Sequence, residues 1–184
     1  MTDVIQEQDS DVDARLVERY RAGDERAATA IVERHAAALA RYGASLGERD
    51  EIDELVQDTF VRAFQALDAF RAESSLRTWL FTIERRLVLD RRRAAARHRA
   101  RFEDGEADAA TEATALDAVV AEETEGRLRD AMTRLTKTQR EVFMLRVGEG
   151  RSYREIAEIA GTTEGAARVH YHNAMRAVKE FLDA

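Results

Sequence analysis

Neither cysteine nor proline occurs anywhere in this chain of 184 residues. Without cysteine there is no disulfide, no thiolate metal site and no thiol nucleophile, which fits a reducing compartment. Without proline, the breaks between helices must come from glycine, caps and polar runs. No apolar run approaches the roughly 20 residues of a membrane span. The opening "MTDVIQEQDSD" is acidic and lacks the basic start and apolar core of a signal peptide. Together these absences predict a soluble, cytoplasmic protein. A Gly-rich phosphate loop, an activated-nucleophile pattern and a carboxylate pair in an apolar setting are missing as well, so the residues support neither an enzyme nor a cofactor. Of the four histidines, His35, His98, His170 and His172, the last two stand at i,i+2, poor spacing for a shared metal on a helix, and no metal is assigned.

What is present is charge, unevenly placed. Hydrophobic content of 45% is ordinary for a globular chain, and the formal net charge is −7. Positions 91–101 hold six arginines and a histidine without one acid, whereas positions 102–125 hold nine acids without one Lys or Arg. An acidic bulk argues weakly against nucleic acid, but a DNA-binding face needs only local positive potential.

Helical periodicity dominates and alternating β-type runs are absent, so the fold class is all-α. Amphipathic segments "DARLVERYRAG" and "ERAATAIVERHAAALARYG" flank a Gly23-Asp24 break, and "GERDE" leads into "IDELVQDTFVRAFQALDAF". In that segment Ile52, Leu55, Val56, Phe60, Phe64 and Leu67 recur at three- and four-residue steps. Ser75 can cap the next helix, "LRTWLFTIERRLVLDRRR", in which Leu76, Leu80, Ile83 and Leu87 share one stripe. Thr78, Thr82, Arg85, Arg86, Arg92 and Arg93 project to its other side. Further on, Thr136 with Gln139 and Ser152 with Glu155 form capping-box patterns. Gly161 breaks the chain, Thr163 caps, and a last helix buries Ala167, Tyr171, Ala174, Val178 and Leu182. The pattern predicts two small helical domains, at 12–97 and 125–184, after a disordered start (1–11) and around an acidic linker (98–124).

A charge-rich helix face is ordinarily solvated surface, and helix pairs of the second kind also occur in purely structural bundles. Two features favour nucleic acid. The arginines lack acidic partners at i,i+4, and hydroxyls and an aromatic accompany them, able to hold phosphates and to stack on unpaired bases. Trp79 taken alone reads first as core. The C-terminal pair, a capped helix, a Gly-containing turn and a second capped helix, is the helix-turn-helix pattern. Its outward positions are Arg168, Val169, His170, His172, Asn173 and Arg176. Arg and Asn can make bidentate contacts to G and A edges.

With these residues in hand, the chain resembles a bacterial sigma factor of the extracytoplasmic-function (ECF) group, in a two-domain form. "DELVQDTFVRAFQALDAFRAESSLRTWLFTIERRLVLDRRR" is similar to that family's region 2. "LTKTQREVFMLRVGEGRSYREIAEIAGTTEGAARVHYHNAMRAV" is similar to its region 4. The resemblance implies a polymerase subunit that chooses and melts promoters. It implies that Asp53, Leu55, Val56, Gln57, Asp58 and Phe60 grip the β′ clamp helices of core RNA polymerase. Phe70, Arg71, Ser74, Ser75, Thr78, Trp79, Thr82, Arg85, Arg86, Arg92 and Arg93 would serve −10 recognition and melting. Thr163, Arg168, Val169, His170, His172, Asn173 and Arg176 would serve −35 recognition. Partners implied are core polymerase (β′ clamp helices, β flap), promoter DNA and an anti-sigma factor. The competing classes are a stand-alone helix-turn-helix regulator, which leaves "LVQDTF" and "RTWL" unexplained, and an adaptor that has lost DNA contact.

Some positions depart from the family's pattern. Arg86 stands where a small polar residue is usual, and the recognition helix reads "GAARVHYHNAM" where the family often reads "GTVKSRLHRAR". Asn173 and Met175 replace basic residues there, so −35 binding by the C-terminal domain is expected to be weak.

Overall fold

Capped amphipathic stripes divide the described residues, 2–48, 50–102 and 122–183 of the computed structural model, into helices joined by short turns. Helices α1 (Thr2–Arg21) and α2 (Glu25–Leu46) form a hairpin. Asp24 caps α2, its Oδ1 accepting from the Arg26 N–H at 3.0 Å. Residues 2–11, expected to lack structure, are helical here. One reason is tertiary: Asp9 and Asp13, a turn apart, both receive the Arg34 guanidinium, at 3.1 and 2.9 Å.

Helix α3 (Ile52–Ala66) ends in a 3-10 turn at Leu67–Ala69, and α4 (Leu76–Phe102) follows. Leu76, Leu80 and Leu87 are buried and Ile83 half-buried, the stripe expected from periodicity. At 27 residues and about 1.5 Å of rise each, α4 is about 40 Å long. It runs beyond position 97 and takes in the first part of the expected linker. The remainder of that acidic segment, 103–121, lies outside the described residues.

The C-terminal part comprises α5 (Glu122–Thr133), α6 (Lys137–Phe143) with a π-helical turn at Met144–Gly148, α7 (Tyr153–Ala160) and α8 (Glu164–Leu182). Both capping boxes form, at Thr136/Gln139 and Ser152/Glu155, and Thr163 Oγ1 accepts from the Ala166 N–H at 3.1 Å. Gly161 takes the left-handed conformation (φ 60°) that lets α8 turn away from α7. Ala167, Ala174 and Val178 are buried, but Leu182 is 36% exposed. The C-terminal core of Ala131, Leu135 and Phe143 is covered by Ala174 and Val178, and in the last turn of α8 it is Phe181 that packs against it.

The two halves do not stand apart. One core cluster joins Leu39, Tyr42, Leu80 and Phe81 of the N-terminal half to Val142, Leu145, Ile156 and Ile159 of the C-terminal half. Full burial of each such side chain is worth about 1.5–3 kcal/mol. No described helix is long and apolar enough to cross a membrane.

Candidate nucleic-acid and polymerase interface

The polar side of α4 begins with a chain of hydroxyls. Ser75 Oγ accepts from the Thr78 N–H at 3.2 Å and donates to Thr78 Oγ1 at 2.9 Å; Thr78 Oγ1 in turn donates to Glu155 Oε1 of α7 at 2.8 Å. Thr78, expected on a DNA-facing surface, is therefore 0% exposed. Periodicity placed it correctly away from the Leu76 stripe, but α7 covers that side. Thr82 donates to the Thr78 carbonyl at 2.9 Å.

The arginines that follow are mostly engaged. Arg85 Nε donates to Glu141 Oε1 at 2.7 Å, and the buried Tyr42 hydroxyl donates to the same oxygen, also at 2.7 Å. Arg91 reaches Asp58, Glu54 and Glu51 at 2.8, 3.2 and 3.3 Å. Arg92 bonds the Leu46 carbonyl and lies 3.3 Å from Glu48, and Arg93 pairs with Asp90 at 3.2 Å. The expected lack of i,i+4 acids within α4 has an exception, Asp90 four residues after Arg86, and Asp90 instead pairs with Arg93. The other acids come from α3 and the residue before it, from α6 and from just after α2, which no single-helix pattern reveals. Arg86 is exposed, with no ion pair among the described residues.

Ahead of α4, Phe70 and Trp79 meet at 4.9 Å between ring centroids, tilted by 40°. They line a cleft of about 360 Å³ together with Ala69, Arg71, Glu73, Ser74 and, from α7, Glu158. Trp79 is half-buried, serving core and cleft at once. Aromatic walls beside hydroxyl and guanidinium groups suit an unstacked base.

On α3, Asp53 and Gln57 are exposed, and Val56 and Asp58 half-buried. Leu55 (0% exposed) and Phe60 (6%) are core residues, which corrects the expectation that both meet a partner. They fix the helix on α2 and α4, and the outward set is smaller than the motif suggested. On α8, Arg168, Val169, His172 and Arg176 are exposed, with Val169 at 58%. His170 and Asn173 are half-buried, and Asn173 Oδ1 receives Arg176 at 3.4 Å.

Comparison with known proteins matches this geometry to a family. The family model for Sigma-70 region 2 matches residues 31–98, and that for Sigma-70 region 4 matches residues 125–178. The chain is 32% identical over 166 residues to the RNA polymerase sigma factor NccH of Alcaligenes xylosoxydans xylosoxydans, spanning 86% of this chain and 88% of that one. It is 31% identical over 152 residues to the ECF RNA polymerase sigma factor SigL of Mycobacterium tuberculosis, spanning 82% and 85%. Among solved structures it is similar to the sigma factor RpoE of Bartonella quintana, crystallised with the anti-sigma factor NepR. There the TM-score is 0.68 at 25% identity, covering 85% of this chain and 96% of that one. The chain belongs to the ECF group of the sigma-70 family.

The sigma factor is thus a polymerase-binding promoter-specificity factor, and the stand-alone regulator is not favoured, because region 2 is matched as well as region 4. Its least legible residues are acids. Glu141, Glu149, Glu155 and Glu158 of the C-terminal half face Arg85, Arg41, Thr78 and the aromatic cleft, Arg41 bonding Glu149 at 2.8 Å. Glu155 was legible only as a capping residue; its Oε2 fills that role while Oε1 meets Thr78 and Arg151. Burial works to raise its pKa, but the Ser152 N–H, Arg151 and Thr78 outweigh burial and hold it below the ordinary value.

Glu84 is different. It is 0% exposed and, among the described residues, neither carboxyl oxygen has a hydrogen-bond partner. Burial, reinforced by the charge of Glu149, pushes its pKa from 4.5 to about 9, so it is a neutral acid at pH 7. A signal was available: Glu84 lies four residues after Leu80, on the buried stripe.

Proposed function

We propose that this sigma factor carries core polymerase to promoters, with α3 docking on the β′ clamp helices through Asp53, Val56, Gln57 and Asp58. The Phe70–Trp79 cleft, with Arg71 and Ser74, receives an extruded −10 base. Thr82, Arg85, Arg86, Arg92 and Arg93 line the approach of the −10 duplex, and Thr78, buried beneath α7, holds Ser75 in place behind them. Helix α8, capped by Thr163, takes the −35 element through Arg168, Val169, His172 and Arg176, while His170 and Asn173 support it. The C-terminal domain also meets the β flap. The polymerase performs all chemistry; this chain contributes binding alone, in the cytoplasm, under control of an anti-sigma factor.

The observation that carries this reading is convergence. An aromatic cleft, the Ser75 and Thr82 hydroxyls and Arg85 and Arg86 gather at the start of α4, with the parts needed for an unstacked base and its phosphates. The described arrangement is a closed form, since Glu141, Glu155 and Glu158 stand where DNA phosphates and bases would enter. Promoter engagement therefore requires the two halves to part.

Run-off transcription with core polymerase tests the assignment. Trp79→Ala should abolish open complexes and Arg86→Ala should weaken promoter binding, while the factor still co-purifies with core. Asp53→Ala combined with Gln57→Ala should lose core binding. An adaptor without DNA contact would tolerate the first two changes, and that result overturns the proposal.

A further inference from the structure

Tyr153, the first residue of α7, has two guanidinium groups over its ring, Arg168 at 4.5 Å and Arg146 at 4.8 Å from the centroid. Tyr171 of α8 meets the ring edge-on at 5.9 Å, which fixes the plane of Tyr153 against the recognition helix. Neither Tyr153 nor Arg146 has a part in the assignments above. Two like charges gather here because the negative face of one ring attracts both.

The remaining contacts leave both cations available. Arg146 donates to the Arg151 carbonyl at 2.8 Å, a neutral partner that orients the group without cancelling its charge. Arg168 pairs with Glu164 at 2.8 Å, but both side chains are 53% exposed, so water and salt weaken that pair. The ring is the firmer hold. A guanidinium laid against an aromatic plane has its fork aimed before any ligand arrives, and loses less freedom on binding. Arg168 is the fifth residue of α8, near the end from which a recognition helix reads base edges.

We propose that Tyr153 is a positioning residue for −35 readout. Its ring aims Arg168 at the O6 and N7 acceptors of a guanine and holds Arg146 beside it for an adjacent backbone phosphate. This rests on the reading of α8 as the −35 helix.

The experiment uses holoenzyme and a promoter library randomised across the −35 element, with transcript sequencing as readout. Arg168→Ala should flatten the preference at one base pair. Tyr153→Leu should reduce preference at that same pair by about fivefold, the ratio that a cation–π contact at an exposed site corresponds to. Tyr153→Phe should keep it. Arg146→Ala should weaken all −35 sequences alike and lower the salt slope by about one. The −10 preference should stay unchanged throughout. If Tyr153→Leu folds poorly, pentafluorophenylalanine at position 153 keeps the ring's shape while removing its negative face, and should lose the same preference. Wild-type preference with the altered ring, or a loss at base pairs other than those lost with Arg168→Ala, overturns the proposal. An unchanged −35 preference with Arg168→Ala overturns the recognition-helix reading itself, and the proposal with it.

Discussion

The two surfaces proposed to face DNA in this sigma factor are built in opposite ways. Helix α4 is rich in arginine, yet Arg85, Arg91, Arg92 and Arg93 are paired and Thr78 is buried beneath Glu155. Helix α8 has few cations, but Arg168, Val169, His172 and Arg176 face solvent. Charge present in a sequence is therefore not charge available at a surface. The face proposed for the −10 element has its cations engaged by acids, whereas the face proposed for the −35 element is accessible and weakly charged.

The sharpest way to break this contrast is to remove the acid that serves two donors. Removing one partner of a largely buried ion pair costs about 3–5 kcal/mol. Glu141→Leu should therefore shift the balance between closed and open forms by roughly a hundredfold to a few thousandfold, at about 1.4 kcal/mol per factor of ten. Fluorophores at Arg62 and Lys179 should report greater separation, and the free factor should bind −10 fork DNA more tightly. No change in either would mean that Glu141 does not hold the face shut.

A second change separates the seam from the core beneath it. The native Glu84 carboxyl, with its pKa raised to about 9, stays protonated where the unfolded one, near 4.5, ionises. Its cost is absent below about pH 4.5, grows as pH rises and is complete by about pH 9. At neutral pH it amounts to roughly 3 kcal/mol, at ~1.4 kcal/mol per pH unit above the ordinary pKa. Urea melts of Glu84→Gln against wild type should show a stability difference that widens from pH 5 to pH 9. A constant difference would contradict a neutral Glu84.

Smaller effects should fall on one face only. Thr163→Ala, which removes the cap of α8, should cost about 1 kcal/mol and weaken −35 use while sparing −10 use. In holoenzyme titrations, Arg86→Ala should lower the salt slope of promoter binding by about one. Arg91→Ala, whose guanidinium is occupied by three acids, should leave that slope unchanged.

Helix order, caps and the buried stripe of α4 were legible because they depend on local spacing: Leu76, Leu80 and Leu87 are where a 3.6-residue period puts them. Region 2 and region 4 were legible through their motifs. The covering of one half by the other was not. Periodicity says that a face is buried or polar, never what lies against it, and Thr78 obeys the period while being covered by a helix 77 positions away. Leu55 and Phe60 show the converse limit: a motif joins outward residues, open to a partner, with residues buried in holding the helix in place.

Gly43 marks where α2, α3 and α4 come closest. A Cβ there would lie 2.7 Å from Ile52 Cδ1, 2.9 Å from Leu55 Cδ2 and 2.9 Å from Glu84 Oε1, so a single hydrogen in place of a side chain lets the three helices meet. Ile52 and Leu55 belong to the helix assigned to the polymerase, and Glu84 to the helix assigned to the promoter. With no slack at this point, a tilt of α3 cannot be absorbed between the helices, so under the proposed assignments a push on the polymerase-docking helix would reach the promoter-facing one.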